Sequence, residues 1–277
     1  MLARELLLQA ASQLELAGCD APRRDADLML MAVWGLSATS LMIRLVEEVP
    51  LDIAQSFETL MQRRLAREPL AYILGEKEFW SLTFKVTPDV LIPRPETEHL
   101  IEVVLQYYPN PNAPLVICDI GTGSGCIAIT LAHEFSKALI TACDISDKAI
   151  AVAQSNAENL GVTSRMQFYI GSLYQALPEP MQFDVIVSNP PYVSLDEMTA
   201  LDAELGFEPR SALTDEDTGL TLLAGLLKDA HMYLKANGMM FLESGLCGMP
   251  DTPTTLEKVN DYFDLAGNFR GSIYRKI

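Results

Sequence analysis

Apolar positions in the first quarter of the chain recur at helical spacing. Leu6, Leu7, Ala10, Ala11 and Leu14 form one stripe. Ala26 to Trp34 forms a second segment, with Pro22 ahead of it as a start signal, and Ile53, Phe57, Leu60, Met61 and Leu65 form a third. They predict a small all-α domain over residues 1–71. Nothing in it carries chemistry, which leaves packing or partner recognition as its role. From Tyr72 to Arg94 the pattern shortens to β-prone pieces, Glu78–Trp80 and Thr83–Val86, separated by Ser81 and Leu82 and closed by Pro88 and Pro93. This predicts a β-hairpin linker over residues 72–94. Beyond Pro95 the pattern alternates: a helix from residue 96, then strand 115–119, helix 124–135, strand 138–144 and helix 147–160. Strands 166–170 and 183–188, helix 219–234 and strand 238–243 follow. Alternating strands and helices predict an α/β domain over residues 95–277, its mostly parallel sheet covered on both faces.

Two strand ends carry candidate chemistry. Phe183–Ser188 reads as a buried strand, and Asn189-Pro190-Pro191-Tyr192 follows it. Proline has no N–H and fixes φ, so the ladder stops there. The tip then presents two rigid acceptors, the Asn189 side-chain oxygen and the Pro190 carbonyl, which suit the two donors of a planar NH2 group. An amide or aromatic amine nitrogen is a poor nucleophile, because its lone pair is delocalised. Holding both N–H bonds would twist and polarise the nitrogen and aim its lone pair at a methyl carbon. Positioning of this kind supplies several of the roughly 7–11 kcal/mol available from orientation. Asn189 and Pro190 are therefore the candidate catalytic groups. Tyr192 offers an aromatic face for a planar group.

The second strand end is Asp119-Ile120-Gly121-Thr122-Gly123-Ser124-Gly125, where a strand turns into a helix. Glycines there allow tight turning and close approach of backbone to ligand. Asp144 stands nineteen residues past Gly125, at the end of the next strand, where an acid can hydrogen-bond a ribose diol. A dinucleotide would prefer a different glycine spacing, with a pyrophosphate on the helix N-terminus. Alternating glycines preceded by an acid suit a cationic ligand with an ammonium and a sulfonium: S-adenosylmethionine.

Composition narrows the partners. The net charge of −17, from 20 basic and 37 acidic residues, disfavours a duplex binder and favours a protein or small-molecule acceptor. The five cysteines form no C-x-x-C pair, and the three histidines are too scattered to suggest a metal site. No apolar run approaches the ~18 residues of a membrane span, and the first residues show no signal peptide. A cytoplasmic protein is expected.

The chain resembles the N5-glutamine methyltransferases of peptide chain release factors (the PrmC/HemK family) over nearly its full length. Besides the Asn-Pro-Pro-Tyr motif, three stretches carry the likeness. These are Glu68-Pro69-Leu70 with Gly75 and Glu78-Phe79-Trp80, Leu91-Ile92-Pro93-Arg94-Pro95-Glu96-Thr97-Glu98, and Phe207-Glu208-Pro209-Arg210 with Ala212-Leu213. The resemblance implies a Rossmann-like class I S-adenosylmethionine-dependent methyltransferase domain with a seven-stranded sheet, preceded by a helical domain that recognises the substrate protein. It implies methyl transfer to the glutamine of a Gly-Gly-Gln loop in class I release factors during translation termination, with S-adenosylhomocysteine as product. By position, Gly121, Thr122, Gly123, Ser124, Gly125 and Asp144 would hold the cofactor, with Leu173 near the adenine and Asn189 also touching it. Asn189 to Tyr192 would hold the glutamine. Arg94 and Thr97 would either close the methionine end or serve the linker alone. Glu208 and Arg210 would either order the substrate loop or form a surface ion pair. A monomer without direct nucleic-acid or membrane contact is expected.

Several positions depart from the family pattern. Ser172 stands where an acid is frequent, putting one adenine-side contact in doubt. Ser244 and Cys247 replace the residues usual after Glu243, and Phe269 replaces an acid. The stretch from Glu243 to Asp264 is short, so the last helix is expected to be small or absent. Other readings are methylation of a ribosomal-protein glutamine, adenine-N6 methylation of nucleic acid, and a cofactor-binding scaffold without turnover. Pro93-Arg94-Pro95 and the acidic charge favour the release-factor reading.

Overall fold

Consecutive strands of the central sheet are apolar at both odd and even positions, and that pattern requires cover on both faces. The computed structural model describes residues 1–178 and 181–277, which fall into two compact units. The first unit comprises Met1–Gly75 together with the short segment Asp202–Phe207; the second holds the remaining described residues.

The first unit is helical: α1 (Ala3–Leu16), α2 (Pro22–Trp34), α3 (Ala38–Arg44), α4 (Leu51–Leu65) and α5 (Leu70–Leu74). Leu7, Leu14, Met29, Leu30, Phe57 and Met61 are buried at its centre, the inward stripes of α1, α2 and α4. Pro22 opens α2 and Gly35 closes it with φ +65, a left-handed angle that glycine adopts without steric cost. A buried ion pair lies inside this unit. The Arg64 guanidinium is buried and pairs with Asp25 at 2.7 Å and Glu204 at 2.7 Å, while Arg67 pairs with Asp202 at 2.8 Å. Removing one partner of such a buried pair strands the other charge.

The second unit opens with a hairpin, β1 (Glu76–Phe79) and β2 (Leu82–Lys85), in antiparallel register. The turn residues are Trp80 and Ser81, both with positive φ (53° and 58°), so the connection is one position earlier than the sequence suggested. Two positive φ values match the right-handed twist of the flanking strands. Trp80 anchors the turn: its backbone N–H donates to Glu98 and its indole N–H to Glu134 at 2.7 Å.

After the linker come α6 (Glu98–Tyr107), β3 (Val116–Ile120), α7 (Cys126–Glu134), β4 (Leu139–Asp144), α8 (Asp147–Asn159), β5 (Met166–Ile170) and β6 (Phe183–Ser188). They are followed by α9 (Leu195–Met198), α10 (Thr221–Tyr233), β7 (Leu234–Glu243), β8 (Leu256–Phe263) and β9 (Phe269–Lys276). The sheet runs β5-β4-β3-β6-β7-β9-β8, parallel through the first five strands, with β9 antiparallel to β7 and β8 antiparallel to β9. Ile117, Val185, Val187 and Phe241 face one core with α6 and α7. Their neighbours Cys118, Ile186, Met240 and Leu242 face a second core with α10. The period of two within continuous apolar strands thus fills both faces. No helix forms between Glu243 and Leu256; the chain turns directly into the β8–β9 hairpin.

Asn156 ties these parts together from inside α8. Its Oδ1 accepts from the Lys85 N–H at 2.8 Å, and its Nδ2 donates to the carbonyls of Lys85 and Ser124 at 3.0 and 2.8 Å. Asn156→Ala leaves three backbone groups without that partner and should cost about 2–4 kcal/mol in urea denaturation. A loss under about 1 kcal/mol would mean that water replaces the side chain.

Candidate active site

The chain leaves β3 toward β4 on one side of the sheet, while β6 lies on the other. Such a switch point opens a crevice at the carboxyl ends of the strands. Here it is a cavity of about 380 Å³, walled by Gly121–Ser124, Asp144, Leu173, Asn189–Pro191, the linker residues Asp89–Leu91 and Thr97. Gly121 and Gly123 have φ +78 and +55, and a Cβ on either would meet no atom within 4 Å. Their left-handed angles demand glycine, and the space above them is open. Gly125 is constrained differently: a Cβ there would lie 2.9 Å from Ile129 and 3.2 Å from Ala153. It lets α7 and α8 approach each other.

Two carboxyls hold this loop, and a third stands at the end of β7 beside Tyr192. Asp144 accepts from the Gly123 N–H and the Ser146 N–H, each at 2.9 Å. Burial raises its pKa while the N–H groups of Ser146, Gly123 and Ile145 pull it down. Each oxygen retains a further lone pair for a hydroxyl in the cavity that the residue lines. Asp119 is fully buried; its Oδ2 accepts from the Thr122 hydroxyl at 2.7 Å and its Oδ1 has no partner. Burial pushes it up to about 7, against the Thr122 hydroxyl and the Ala128 N–H. Burial also pushes Glu243 up to about 7, against the Thr97 and Tyr192 hydroxyls and Arg270, with Glu96 adding to the rise.

The tips of β3 and β6 are joined where the Ser188 hydroxyl donates to the Ile120 carbonyl at 2.6 Å. Asn189 follows, half-buried, and its Nδ2 donates to the Thr97 hydroxyl oxygen at 3.1 Å. Thr97 therefore lies at the cavity as well as in the linker. Pro190 is buried, and the Tyr192 hydroxyl donates to Glu243 Oε1 at 3.2 Å. The Tyr192 ring lies over Gly245, where a Cβ would come within 2.8 Å of it. Glu208 is buried rather than part of a surface pair: it accepts from Arg94 and, at 3.0 Å, from the Ile92 N–H. Arg210 is exposed and pairs with Glu216 at 2.6 Å. Ser172 and Leu173 both line the cavity. Asp89, Val90, Asn156 and Glu243 were not among the expected site residues, because their roles depend on contacts across the fold.

Residues 5–75 match the PrmC N-terminal domain family and residues 100–208 the Methyltransferase small domain family. A protein named release factor glutamine methyltransferase from Nitratidesulfovibrio vulgaris is 42% identical over 273 residues, covering 95% of this chain and 91% of that one. The chain belongs to the release factor glutamine methyltransferase family. A relative of the same name from Neisseria gonorrhoeae is 42% identical over 81% of each chain. A solved methyltransferase from Pyrococcus furiosus aligns with TM-score 0.48 at 17% identity, over 80% of this chain and 97% of that one. In this member of the release factor glutamine methyltransferase family the seven-stranded, mostly parallel sheet is Rossmann-like, of the class I S-adenosylmethionine-dependent methyltransferase type.

The buried acids give the protein a pH-dependent stability. Asp119 and Glu243 hold folded pKa values of about 7, above the ordinary 3.8 and 4.5. Between those limits the native state keeps protons that the unfolded chain has released. The stability this provides is full below about pH 4 and is lost as pH rises through about 7. Acids held low, such as Asp215 and Asp261, act only at the acidic end. The thermal midpoint of the ligand-free protein should therefore fall between about pH 5 and pH 8, and Asp119→Asn with Glu243→Gln should flatten that fall. An unchanged slope in the double variant would assign it to other groups.

Proposed function

We propose that this chain transfers a methyl group from S-adenosylmethionine to the side-chain amide nitrogen (N5) of the glutamine in the Gly-Gly-Gln loop of class I peptide chain release factors. S-adenosylhomocysteine is the product. The observation that carries this reading is the Asn189 amide, fixed by Thr97 at the end of β6, in the same cavity as the glycine loop of β3. The residues present fit the cofactor. Open space lies over Gly121 and Gly123, Asp144 lines the same cavity with lone pairs free for a diol, and a buried Asp119 oxygen without a partner lies behind the loop. Gly121 to Gly125, Asp144 and Leu173 would hold it, with Asn189 in contact. When bound, it supplies an electrophilic methyl group on a sulfonium.

The chain's own contribution is orientation. Thr97 accepts from one N–H of Asn189, so Oδ1 remains as an acceptor for one N–H of the substrate NH2 and the Pro190 carbonyl accepts from the other; one of these protons leaves to solvent once the methylated nitrogen is cationic. Two fixed acceptors hold the nitrogen in one plane and exclude water from it. Tyr192, braced by Gly245 and Glu243, offers its ring to the planar amide. We assign residues 1–71 to recognition of the release factor and 72–94 to the linker that walls the cofactor side. The acidic surface and the translation substrate support a cytoplasmic monomer without direct nucleic-acid contact.

Incubation with labelled S-adenosylmethionine should label a class I release factor and leave the same factor unlabelled once its Gly-Gly-Gln glutamine is alanine. Label on a ribosomal protein or nucleic acid instead would move the assignment to that acceptor. Asn189→Ala should lower kcat by about 10²–10³, the scale for one oriented hydrogen-bond group; normal turnover would rule out the clamp. Asp144→Ala should weaken cofactor affinity by about 10- to 100-fold in calorimetry, the equivalent of one charged hydrogen bond. An unchanged Kd would remove Asp144 from the cofactor site.

A further inference from the structure

Glu243 does not line the cavity, yet it holds the hydroxyl of Tyr192, the last residue of the substrate motif. It is the last residue of β7, and Ser188 pairs with Leu242, so Glu243 comes level with Asn189 on the neighbouring strand. Only 2% of it is exposed. Its Oε1 accepts from the Tyr192 hydroxyl at 3.2 Å. Oε2 is buried with no hydrogen-bond partner of its own, although the Thr97 hydroxyl is near enough to draw the carboxyl's pKa down. Thr97, equally buried, is the group that accepts from Asn189.

We infer that Glu243 is the positioning residue that sets the polarity of the amide clamp, acting through Thr97 and Tyr192. An ionised carboxyl only accepts, and a threonine hydroxyl has one proton to give. Thr97 already accepts from Asn189 Nδ2, and with its own proton turned to the partnerless Glu243 Oε2 it keeps only lone pairs toward Asn189. The Asn189 side chain must then turn its NH2 inward, which sends Oδ1 to the cavity. A donor in place of Glu243 would permit the reverse chain and a flipped amide, whose NH2 would face the N–H bonds of the substrate. The same carboxyl holds the Tyr192 hydroxyl, so one buried acid orients both ends of the substrate site. Gly245, two residues on, leaves room for the ring it holds. Arg270 favours the ionised form, while Glu96 opposes it.

This inference rests on the proposed glutamine acceptor, and Glu243→Gln tests it while keeping the volume and the fold. At about pH 8, where the wild-type carboxyl is ionised, kcat on the release factor should fall by about 10- to 100-fold. Cofactor Kd should stay within about twofold. Adding Thr97→Val should lose no more than the larger single effect, because both act on one chain of hydrogen bonds. In a ¹⁵N spectrum the Asn189 side-chain amide pair should shift in Glu243→Gln, with or without an acceptor substrate. Unchanged kcat, a cofactor Kd weakened in step with kcat, multiplying losses, or an unmoved Asn189 resonance would each overturn the role. If the wild type labels no glutamine, the acceptor assignment fails, and the Asn189 resonance alone decides this inference.

Discussion

The site depends on a constraint of chain direction. Parallel strands all end at the same edge, and β3 and β6 send their continuations away from one another. Backbone N–H and carbonyl groups at those ends have lost their ladder partners, so they must find others or face a ligand. The structure does both. The N–H groups of Gly121 and Thr122 return to the Cys143 carbonyl, that of Gly123 goes to Asp144, and the Ile120 carbonyl takes the Ser188 hydroxyl. What remains open is the face above the glycines and the acceptors of Asn189 and Pro190.

Polar groups behind that face are buried at a cost, and the cost explains their chemistry. Asp119 and Glu243 each keep one oxygen without a partner in an apolar setting. Burial takes both carboxyls out of bulk solvent and penalises their charged forms, so both hold their protons more tightly than free carboxyls do. A fully apolar replacement would pack more stably, but it could not direct a hydroxyl proton.

The parts legible in the sequence were those written in adjacent residues. The glycine spacing, the acid at Asp144 and the proline-ended strand are local, and each specifies its backbone almost alone. Apolar strands between helical periods were equally readable, with β5 and β6 found at their observed ends. The hairpin turn was misplaced by one residue because Trp80 and Ser81 are not the glycine or asparagine that usually mark positive φ. The start of β7 was placed late because Lys235 to Gly238 reads as a turn, and its register against β6 does shift beside Phe183. Asn156, Arg64 and Glu243 carried no local signal. Their partners lie 71, 39 and 51 residues away, and only the folded chain brings them together.

The segment Asp202–Phe207 has a wider consequence. Its neighbours in sequence, Leu201 and Glu208, belong to the methyltransferase unit, while its own contacts with Arg64 and Arg67 belong to the helical one. The chain therefore passes between the units three times, not once. A helical unit joined by a single hinge could be exchanged or shed as a cassette. One stitched by a returning helical segment cannot, because its removal strands Glu204 and Asp202 beside the loop that carries Glu208. Inheritance of the two units as one piece follows from this stitch.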